Sequence, residues 1–441
     1  MPRRLSKPAA ALAIVCCGLA AAAPGTSAGA HGHARAAAAG LLGGVNTAGL
    51  GYNSTPEEAD KTIAVAQALH TKIIRVELAW SILEPRGPNK LDARALAYTD
   101  RLINDASEHG IGVIGLVDGS PCWASAAPAH VRRKCVPGQL ALAGSYPPSR
   151  PADYANFMHE LAERYGDKLT ALEVWNEPDQ ANERYFAGPH KVARYAAILK
   201  AAYTSIKQAD PNIKVLGGSL VGTNGVFLRL LYKAGIKGYY DGLAIHFYTL
   251  TLASLRATRQ VQLANGDSTP LWLGEFGWTD CYPRHKIQEE QPCVTPAVQA
   301  TNITNIFHAL ASTSYVAAAT LYELQDGGSD QFGVLTARGG HKRAFAALAK
   351  VLGSPSGALS PVTLTLRKAG SKVLASGSGP VGDFMHLEVF QGSVLRYRAL
   401  FTLNRFNGYS LALPSALGTH NLRVRVYQQS SGLAGAVQRS T

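Results

Sequence analysis

Apolar runs of strand length alternate with stretches of helical apolar spacing from Gly43 to Leu352. Strands are predicted at 43–46, 73–78, 111–117, 171–175, 214–216, 242–247, 271–274 and 317–321. A helix is predicted after each strand, because apolar positions recur every three to four residues and residues such as Thr55 and Gly110 mark helix ends. This repeat is typical of a (β/α)8 TIM barrel, which we place at residues 41–352. A doubly wound open sheet also alternates, but no glycine-rich phosphate-binding sequence follows the first strand.

The pattern changes to a period of two after the barrel region. Residues 353–361, which begin Gly353-Ser354-Pro355-Ser356-Gly357, predict a linker. Beyond it, alternating runs predict strands at 362–366, 383–390, 395–403, 409–413 and 422–426. We therefore expect a small all-β sandwich at 362–441, which contains no tryptophan and serves as an accessory domain packed on the barrel.

The first residues have the pattern of an export signal. A positively charged start at residues 3–7 precedes the apolar stretch 9–23. Ala28-Gly29-Ala30 offers a cleavage site, and Ala34-Arg35-Ala36 is a second option. We therefore predict a signal peptide and disordered N-terminus at 1–36, and a secreted, extracellular protein. No later apolar run reaches the length that crosses a bilayer, so we expect no transmembrane segment.

Four cysteines follow the predicted signal peptide: Cys122, Cys135, Cys281 and Cys293. An even number of cysteines in an exported chain predicts disulfide bonds, and three pairings are open. The pairing local in sequence, Cys122 with Cys135 and Cys281 with Cys293, would close two long loops. A four-cysteine metal site is the alternative, but no C-x-x-C spacing supports it. We therefore expect disulfides and no bound metal.

The composition is that of a well-folded basic protein. The 441 residues are 46% hydrophobic and 17% charged, so a large buried core is expected. The formal net charge of +13 is spread along the chain without a dense run of Lys and Arg, which does not favour nucleic-acid binding. Affinity for an acidic polysaccharide or an anionic cell surface stays open. We expect a monomer.

Two glutamates stand at the ends of predicted barrel strands. Glu177 follows the fourth strand, and Glu275 comes directly after the seventh. Because barrel active sites lie where the strands end, the two carboxylates are expected to face each other across one pocket. Two facing carboxyl groups can cleave a glycosidic bond, since one protonates the leaving oxygen and the other attacks as an anion. Glu177 and Glu275 are therefore the candidate catalytic residues.

Further polar residues at strand ends are candidates for substrate binding. Arg75, near the end of the second strand, is expected to hold Glu275 in its ionised form by charge and hydrogen bonding. Tyr248, after the sixth strand, is expected to donate another hydrogen bond to Glu275. Asn176 is placed to bind a sugar hydroxyl, and His246 is either a substrate-binding residue or a hydrogen-bonded barrel histidine.

Four tryptophans lie at predicted strand ends: Trp80, Trp123, Trp175 and Trp278. Aromatic rings stack on the apolar faces of sugars, so we assign Trp80, Trp123 and Trp278 to substrate binding, with core packing as the alternative. Trp272 lies inside the seventh strand and is expected in the core.

Four more acidic residues lie near predicted strand ends: Glu77, Glu84, Asp118 and Glu323. Carboxylates at these positions can accept hydrogen bonds from sugar hydroxyls. We consider Asp118 and Glu84 as substrate contacts and interpret Glu77 and Glu323 as structural.

Three segments resemble motifs of the clan A glycoside hydrolases. Trp175-Asn176-Glu177-Pro178 is similar to the acid/base motif of the clan, and Glu275-Phe276-Gly277-Trp278 is similar to its nucleophile segment. His246-Phe247-Tyr248 resembles the sixth-strand motif. The resemblance covers residues 41–352 and is nearest to glycoside hydrolase family 39 or to family 5-like members.

The resemblance implies a retaining mechanism in which Glu177 is the acid/base and Glu275 the nucleophile. It also implies a carbohydrate substrate and no cofactor. The chain departs from the clan at the end of the eighth strand, where Leu321-Tyr322-Glu323 stands in place of a tryptophan. We therefore expect a secreted retaining O-glycoside hydrolase. The alternatives are a transglycosylase, which uses the same residues, and a non-catalytic polysaccharide-binding barrel.

Overall fold

The structure is a computed structural model that describes residues 40–47, 54–281, 293–327, 331–428 and 435–440. The predicted signal peptide at 1–36 lies outside the described residues. Within these ranges, no helix is both long enough and apolar enough to cross a lipid bilayer.

The barrel strands run parallel and form one closed sheet. Their bounds are β1 Leu42–Asn46, β2 Ile73–Glu77, β3 Gly112–Val117, β4 Ala171–Val174, β5 Lys214–Leu220, β6 Gly242–His246, β7 Leu271–Glu275 and β8 Val316–Leu321. Each strand pairs with the next, and β8 closes the sheet by pairing with β1. The predicted (β/α)8 barrel is confirmed.

Helices lie between the strands and after the last one. Their bounds are α1 Pro56–Ala68, α2 Trp80–Leu83, α3 Ala93–Glu108, α4 Ala129–Arg132, α5 Pro151–Tyr165, α6 Lys191–Ala209, α7 Val226–Lys233, α8 Leu252–Ala264, α9 Pro296–Ala311 and α10 Arg343–Gly353. Local polar groups mark their starts: the Asp92 carboxylate accepts the backbone N–H groups of Arg94 and Ala95 at the start of α3. The short helices α2 and α4 lie in the loops after β2 and β3, and the sequence pattern did not predict them.

The barrel interior is layered because alternate residues of each strand point inward. The layer toward the amino ends of the strands is apolar and contains Ile73, Ile114, Ala171, Leu216, Ala244, Trp272 and Ala318. Trp272 therefore packs in the core, as expected. Two residues further along their strands, Arg75, Glu173 and His246 form a buried polar layer. The pocket at the carboxyl ends of the strands consequently has a charged floor.

A change of register in β7 places one further glutamate at this pocket. Leu273 pairs with Ile245, whereas Glu275 pairs with His246, so Gly274 is an extra residue in the ladder. A Cβ atom on residue 274 would lie 3.2 Å from Nε of Arg75. Glycine at this position leaves room for the guanidinium group, and the irregularity lets Glu275 face the polar layer.

Two antiparallel sheets follow the barrel and share one apolar core. Their strands are β9 Thr365–Ala369, β10 Lys372–Ser378, β11 Met385–Gln391, β12 Val394–Phe401, β13 Gly408–Ala412, β14 Leu422–Gln428 and β15 Ala436–Arg439. The strand orders are β13-β10-β9 and β12-β11-β14-β15. The predicted β-sandwich is confirmed, although β10 and β15 were missed and β9 begins three residues later than predicted.

Polar contacts join the sandwich to the barrel. Arg256 of α8 donates to both carboxylate oxygens of Asp383 at 3.1 Å. Asn407 donates to the side chain of Asn302 in α9 at 2.6 Å. Because Asp383 and Asn302 are both buried, these contacts contribute more than exposed polar pairs would.

Candidate active site

The segment after β4 has an unusual backbone that aims its side chains at the pocket. Trp175 and Glu177 have φ angles of 65° and 43°, a region that residues other than glycine rarely occupy. Such backbone strain concentrates at functional sites, where the surrounding structure holds it in place. Here it accompanies a strand end whose Asn176 and Glu177 side chains both join the polar network of the barrel.

Glu177 is held by two side chains. Its Oε1 lies 2.6 Å from Nδ1 of His246, and Nε2 of Gln180 lies 2.5 Å from its Oε2. The carboxyl group is buried, with 7% of the side chain exposed. Gln180 lies three residues after Glu177 on the same loop, and the sequence analysis did not single it out.

Glu275 is held by the two residues expected from the sequence. Arg75 donates to its Oε1 at 2.8 Å, and the hydroxyl of Tyr248 donates to its Oε2 at 3.1 Å. Nδ1 of His246 lies 3.6 Å from the same Oε2. His246 thus stands between the two glutamates, and burial together with the nearby carboxylate raises the pKa of the Tyr248 hydroxyl well above its usual value.

Arg75 organises the floor of the pocket. Its Nε donates to Glu173 at 2.7 Å, and its NH2 group contacts Asn176 at 3.2 Å and Nε2 of His246 at 3.3 Å. Burial by itself would lower the pKa of Arg75, but Glu173 and Glu275 outweigh burial and raise it. One guanidinium group therefore forms ion pairs with two carboxylates.

Glu173 and Ser219 complete this network, and the sequence analysis missed both. Glu173 is fully buried and accepts a short hydrogen bond from the Ser219 hydroxyl. Burial would raise the pKa of Glu173, but the Arg75 charge outweighs it and holds that pKa below its usual value. A charged residue in the middle of the apolar run 171–174 was the signal that could have identified Glu173.

Burial and the neighbouring carboxylates have opposite effects on the pKa of His246. Its burial lowers the tendency to take up a proton, whereas the carboxylates of Glu275 and Glu177 raise its pKa above the usual value. Because Arg75 is always charged and donates toward Nε2, the neutral ring presents its proton at Nδ1, toward Glu177. The histidine is therefore a hydrogen-bonded part of the site and not an isolated core residue.

Glu177, His246 and Glu275 are also the described residues that could hold a metal ion, because their ligand atoms lie within 4.8 Å of one another. A cation at this point would share Glu275 with the Arg75 guanidinium, which already donates to it at 2.8 Å. Repulsion between two neighbouring positive charges disfavours such an ion. The donor set therefore fits proton transfer and attack by a carboxylate better than metal binding.

The structure places most of the strand-end tryptophans in the core and corrects their predicted role. Trp80 is fully buried among Trp123, Tyr154 and Phe157, and Trp278 is 3% exposed. Trp80 begins α2 and packs against the three rings around it, which strand position alone does not reveal. Trp175 is likewise fully buried. Trp123 is half-buried, and its Nε1 donates to the backbone carbonyl of Glu84 at 3.0 Å.

Aromatic side chains other than tryptophan border Glu275. The rings of Tyr248, Tyr322 and Phe332 pack edge to face, with centroids 5.4–6.5 Å apart. Tyr322 follows β8 and occupies the strand end at which the sequence departs from the clan A pattern. The two tyrosines of this group are partly exposed, whereas Phe332 is 4% exposed; of the three, only Tyr248 was expected at the site from the sequence.

A cavity of about 390 Å³ adjoins the polar layer on the side of β3. Glu77, Asp118, Arg184 and Tyr185 are among its lining residues. Burial and the neighbouring Glu77 carboxylate raise the pKa of Asp118 well above its usual value. Glu77 lines the same cavity as Asp118, although its position in the sequence was interpreted as structural.

Two other strand-end acids are buried. Glu84 accepts hydrogen bonds from Nε1 of Trp80 at 2.7 Å and from the backbone of Asn89 at 2.5 Å, so it holds the loop together and does not face substrate. Glu323 is 2% exposed, in agreement with a structural role.

Two disulfides tie loops at the carboxyl ends of the strands. Cys122 pairs with Cys135 after β3, with Cα atoms 5.7 Å apart. Cys281 pairs with Cys293 after β7, with Cα atoms 5.4 Å apart. The pairing is the one local in sequence.

Similar solved structures share the fold over most of the chain. The GH39 enzyme from Xanthomonas axonopodis pv. citri has 13% identity and a TM-score of 0.53, over 85% of this chain and 91% of that one. A monomeric β-xylosidase from Caulobacter crescentus CB15 has 14% identity and a TM-score of 0.52, over 89% and 98%. A GH30 endoxylanase from Clostridium papyrosolvens C71 has 13% identity and a TM-score of 0.51, over 89% and 97%. At these identities the similarity shows the fold alone.

The sequence itself identifies the family. No curated protein sequence matches the chain. The family model described as cellulase (glycosyl hydrolase family 5) matches residues 34–314, which is more than half of the chain and reaches past β7. The expected relationship to clan A is thereby confirmed. The chain belongs to the cellulase family, glycosyl hydrolase family 5, within clan A of the glycoside hydrolases, and it is a glycosidase.

Proposed function

We propose that this glycosidase is a secreted enzyme that hydrolyses O-glycosidic bonds of poly- or oligosaccharides with retention of configuration. The observation that carries the proposal is the short separation of the two carboxyl groups, whose nearest ligand oxygens lie within 4.8 Å of one another. Retaining glycosidases have carboxyl groups about 5–5.5 Å apart, whereas inverting enzymes need about 6.5–9.5 Å to admit a water molecule between them.

In the first step, the Glu275 carboxylate attacks the anomeric carbon and forms a glycosyl ester, while the bond to the leaving oxygen breaks. Glu177 gives its proton to that oxygen. In the second step, Glu177 takes a proton from water, the water oxygen attacks the anomeric carbon, and the ester bond to Glu275 breaks. Both carboxyl groups thereby return to their starting states.

The surroundings of Glu275 support its role as the nucleophile. Arg75 and Tyr248 both donate to it, which stabilises an anion ready to attack. Arg75 also contacts Oδ1 of Asn176, which directs the Asn176 amide group near the reacting carbon. The Asn176 amide can then donate to a sugar hydroxyl, as the sequence motif suggests.

Gln180 supports the role of Glu177 as the proton donor. Its amide lies 2.5 Å from Oε2 of Glu177, and its own oxygen lacks a hydrogen-bond partner among the described residues. Rotating the amide by 180° exchanges its oxygen and nitrogen at nearly the same positions. The oxygen then accepts the carboxyl proton of Glu177, on the side away from His246.

Export is supported by the two disulfides, because disulfides persist in oxidising compartments outside the cytoplasm. The positively charged and apolar pattern of residues 1–36 agrees with this inference. Release of the mature protein into the medium by a bacterial secretion host, with removal of the leader, would test it. Retention of the full chain inside the cell would contradict it.

The mechanism is tested with a panel of aryl glycosides that differ in the sugar and in the leaving group. Glu275→Ala is expected to show no measurable turnover on any of them. Glu177→Ala should lose about 10²- to 10⁴-fold on glycosides with poor leaving groups, and far less of the first step on dinitrophenyl glycosides, which need no proton donor. Glu183→Ala, an exposed glutamate of the same loop, is the matched control and should keep wild-type activity.

The stereochemistry is read by proton NMR of the first product released. Retention of the anomeric configuration supports double displacement. Inversion, or normal turnover by Glu275→Ala, would refute the assignment of the nucleophile.

A further inference from the structure

The β-sandwich contributes more than half of the net positive charge of the chain. Residues 362–441 contain nine Lys and Arg against two Asp and Glu, a net charge of +7 out of +13 for the whole protein. Both acids are engaged: Asp383 is paired with Arg256 of the barrel, and Glu388 with Arg398. The excess of cationic groups in this region is therefore not compensated within it.

Two of the cationic residues lie on the outer face of strand β14. Leu422, Val424 and Val426 are buried in the sandwich core, whereas Arg423 and Arg425 between them are exposed. Side chains of a strand alternate between its two faces, so the two arginines point away from the core.

The neighbouring strands add cationic residues to the same face. Arg439 of β15 pairs in register with Arg423. On the other side, Glu388 of β11 pairs in register with both Arg425 and Arg398, which puts Arg398 of β12 on that face. We call this surface the basic face; it consists of Arg398, Arg423, Arg425, Arg439, Phe390 and Tyr427.

The guanidinium groups of two of the arginines lie over aromatic rings. The guanidinium carbon of Arg423 lies 4.5 Å from the ring centroid of Phe390, and that of Arg425 lies 4.5 Å from the ring centroid of Tyr427. Tyr427 in turn stacks on His386 at 5.0 Å with an interplanar angle of 6°. Contact with the rings restricts the guanidinium groups, whose N–H edges can bind planar anions with two hydrogen bonds each.

Exposed apolar side chains lie beside these charges. Leu395 pairs in register with Phe390, Leu400 with His386 and Val437 with Arg425, and their exposed fractions are 40%, 58% and 53%. A partner for this face must therefore present both anionic groups and apolar C–H surface. Sugar acids have both, because the carboxylate projects from a ring whose faces are apolar.

We propose that the basic face binds a carboxylated polysaccharide, a polymer of sugar acids, independently of the active site. A guanidinium group binds a carboxylate with two parallel hydrogen bonds. Arginines two residues apart on one strand face are separated by about 6.6–6.8 Å, so one polymer chain can meet several of them. The proposal extends the function beyond cleavage, to holding the enzyme on an acidic polymer, and it does not depend on which residues catalyse.

The test measures binding of the full-length Glu275→Ala protein to polygalacturonate by isothermal titration calorimetry and by affinity electrophoresis. Fully methyl-esterified polygalacturonate has the same backbone without the charge and is the matched ligand. We expect binding to the acid, weakening as salt rises, and at least tenfold weaker binding to the ester. Binding is measured here without turnover, whereas the catalytic assignment is tested by turnover of aryl glycosides. A failure of one proposal can therefore be distinguished from a failure of the other.

Variants locate the binding to the face. Arg423→Gln/Arg425→Gln is expected to bind on the order of tenfold more weakly, given two exposed charged contacts. Arg94→Gln/Arg343→Gln removes the same charge from exposed positions of barrel helices and should bind like the parent. Arg423→Lys/Arg425→Lys keeps the positive charge but loses the planar guanidinium groups. Its affinity should lie between that of the Arg423→Gln/Arg425→Gln variant and that of the parent. Circular dichroism and Tm verify folding of each variant.

Three results would overturn the proposal. One is equal binding to polygalacturonate and its methyl ester. Another is equal weakening by the face variant and the barrel variant, which would indicate a general effect of net charge. A third is tighter binding of duplex DNA than of polygalacturonate at the same salt, which would indicate a nucleic-acid surface instead.

Discussion

Arg75 provides the sharpest test of how the site is held together. Arg75→Gln removes the positive charge that pairs with Glu173 at the pocket floor, where both side chains are 3% exposed or less. Removing one partner of a buried ion pair costs about 3–5 kcal/mol, because the other charge stays buried without compensation. The unfolding entropy is about 2.1 cal/mol/K per residue, so for roughly 400 folded residues this cost lowers Tm by about 4–6 °C.

The decrease in Tm caused by Arg75→Gln should become smaller as pH falls. In the wild type, Arg75 lowers the pKa of Glu173, so the pair contributes stability above the usual pKa of 4.5 and loses it as pH falls through the lower folded-state value. In Arg75→Gln, burial acts on Glu173 unopposed and raises its pKa, so protonation relieves the buried charge in mild acid. The difference in Tm between the two proteins should therefore shrink from about pH 7 to about pH 4.5.

A second variant separates charge from packing. Arg75→Gln/Glu173→Gln removes both charges while keeping two amides that can hydrogen-bond to each other. Its Tm at neutral pH should exceed that of Arg75→Gln by about 2 °C or more, because the fully buried charge of Glu173 is removed together with that of its partner. Differential scanning calorimetry measures all three proteins. A difference in Tm that is the same at both pH values, or a double variant no more stable than Arg75→Gln, would refute the reasoning.

Three further predictions concern substitutions of Tyr248, Trp80 and Asp118. Tyr248→Phe removes the hydroxyl that donates to Glu275 at 3.1 Å, so kcat on an aryl glycoside should fall about 10- to 100-fold with Tm little changed; an unchanged kcat would contradict a role for this contact. Trp80→Ala empties a fully buried site and should cost about 3–5 kcal/mol in urea unfolding with KM unaltered, whereas a raised KM at normal stability would restore Trp80 to substrate binding. Burial and Glu77 raise the pKa of Asp118, so its ionisation destabilises the fold as pH rises above the usual value of 3.8. Asp118→Asn should therefore gain stability relative to wild type between about pH 4 and pH 7, and parallel Tm curves would count against this.

Part of the active site could be predicted because it follows from strand order. Glu177, Glu275, Arg75 and Tyr248 all stand at strand ends, and a closed barrel brings strand ends together whatever the loops do. The contacts of Arg75 and Tyr248 with Glu275 were expected on that basis and are present.

Other parts of the site could not be predicted from strand position. Glu173 lies within β4 in the same layer as Arg75, and its contact with Arg75 depends on the inward direction of residues 98 positions apart. Trp80 and Trp278 stand at strand ends like the glutamates, yet they are covered by neighbouring elements. Burial is a property of what packs on a residue, and the local sequence does not contain that information.

The sequence by itself determined the repeating units of this protein. The periods of its apolar positions, near 3.6 in the helices and 2 in the C-terminal strands, are set by residues close in the chain, and they sufficed for the barrel and the sandwich. Only the tertiary structure decided which side chains meet. Closure of the sheet put Arg75 against Glu275 over a separation of 200 residues, the irregularity at Gly274 aimed Glu275 at the pocket, and strand pairing assembled the basic face. Such contacts depend on register and packing between distant segments, because each segment has the same local preference in any register.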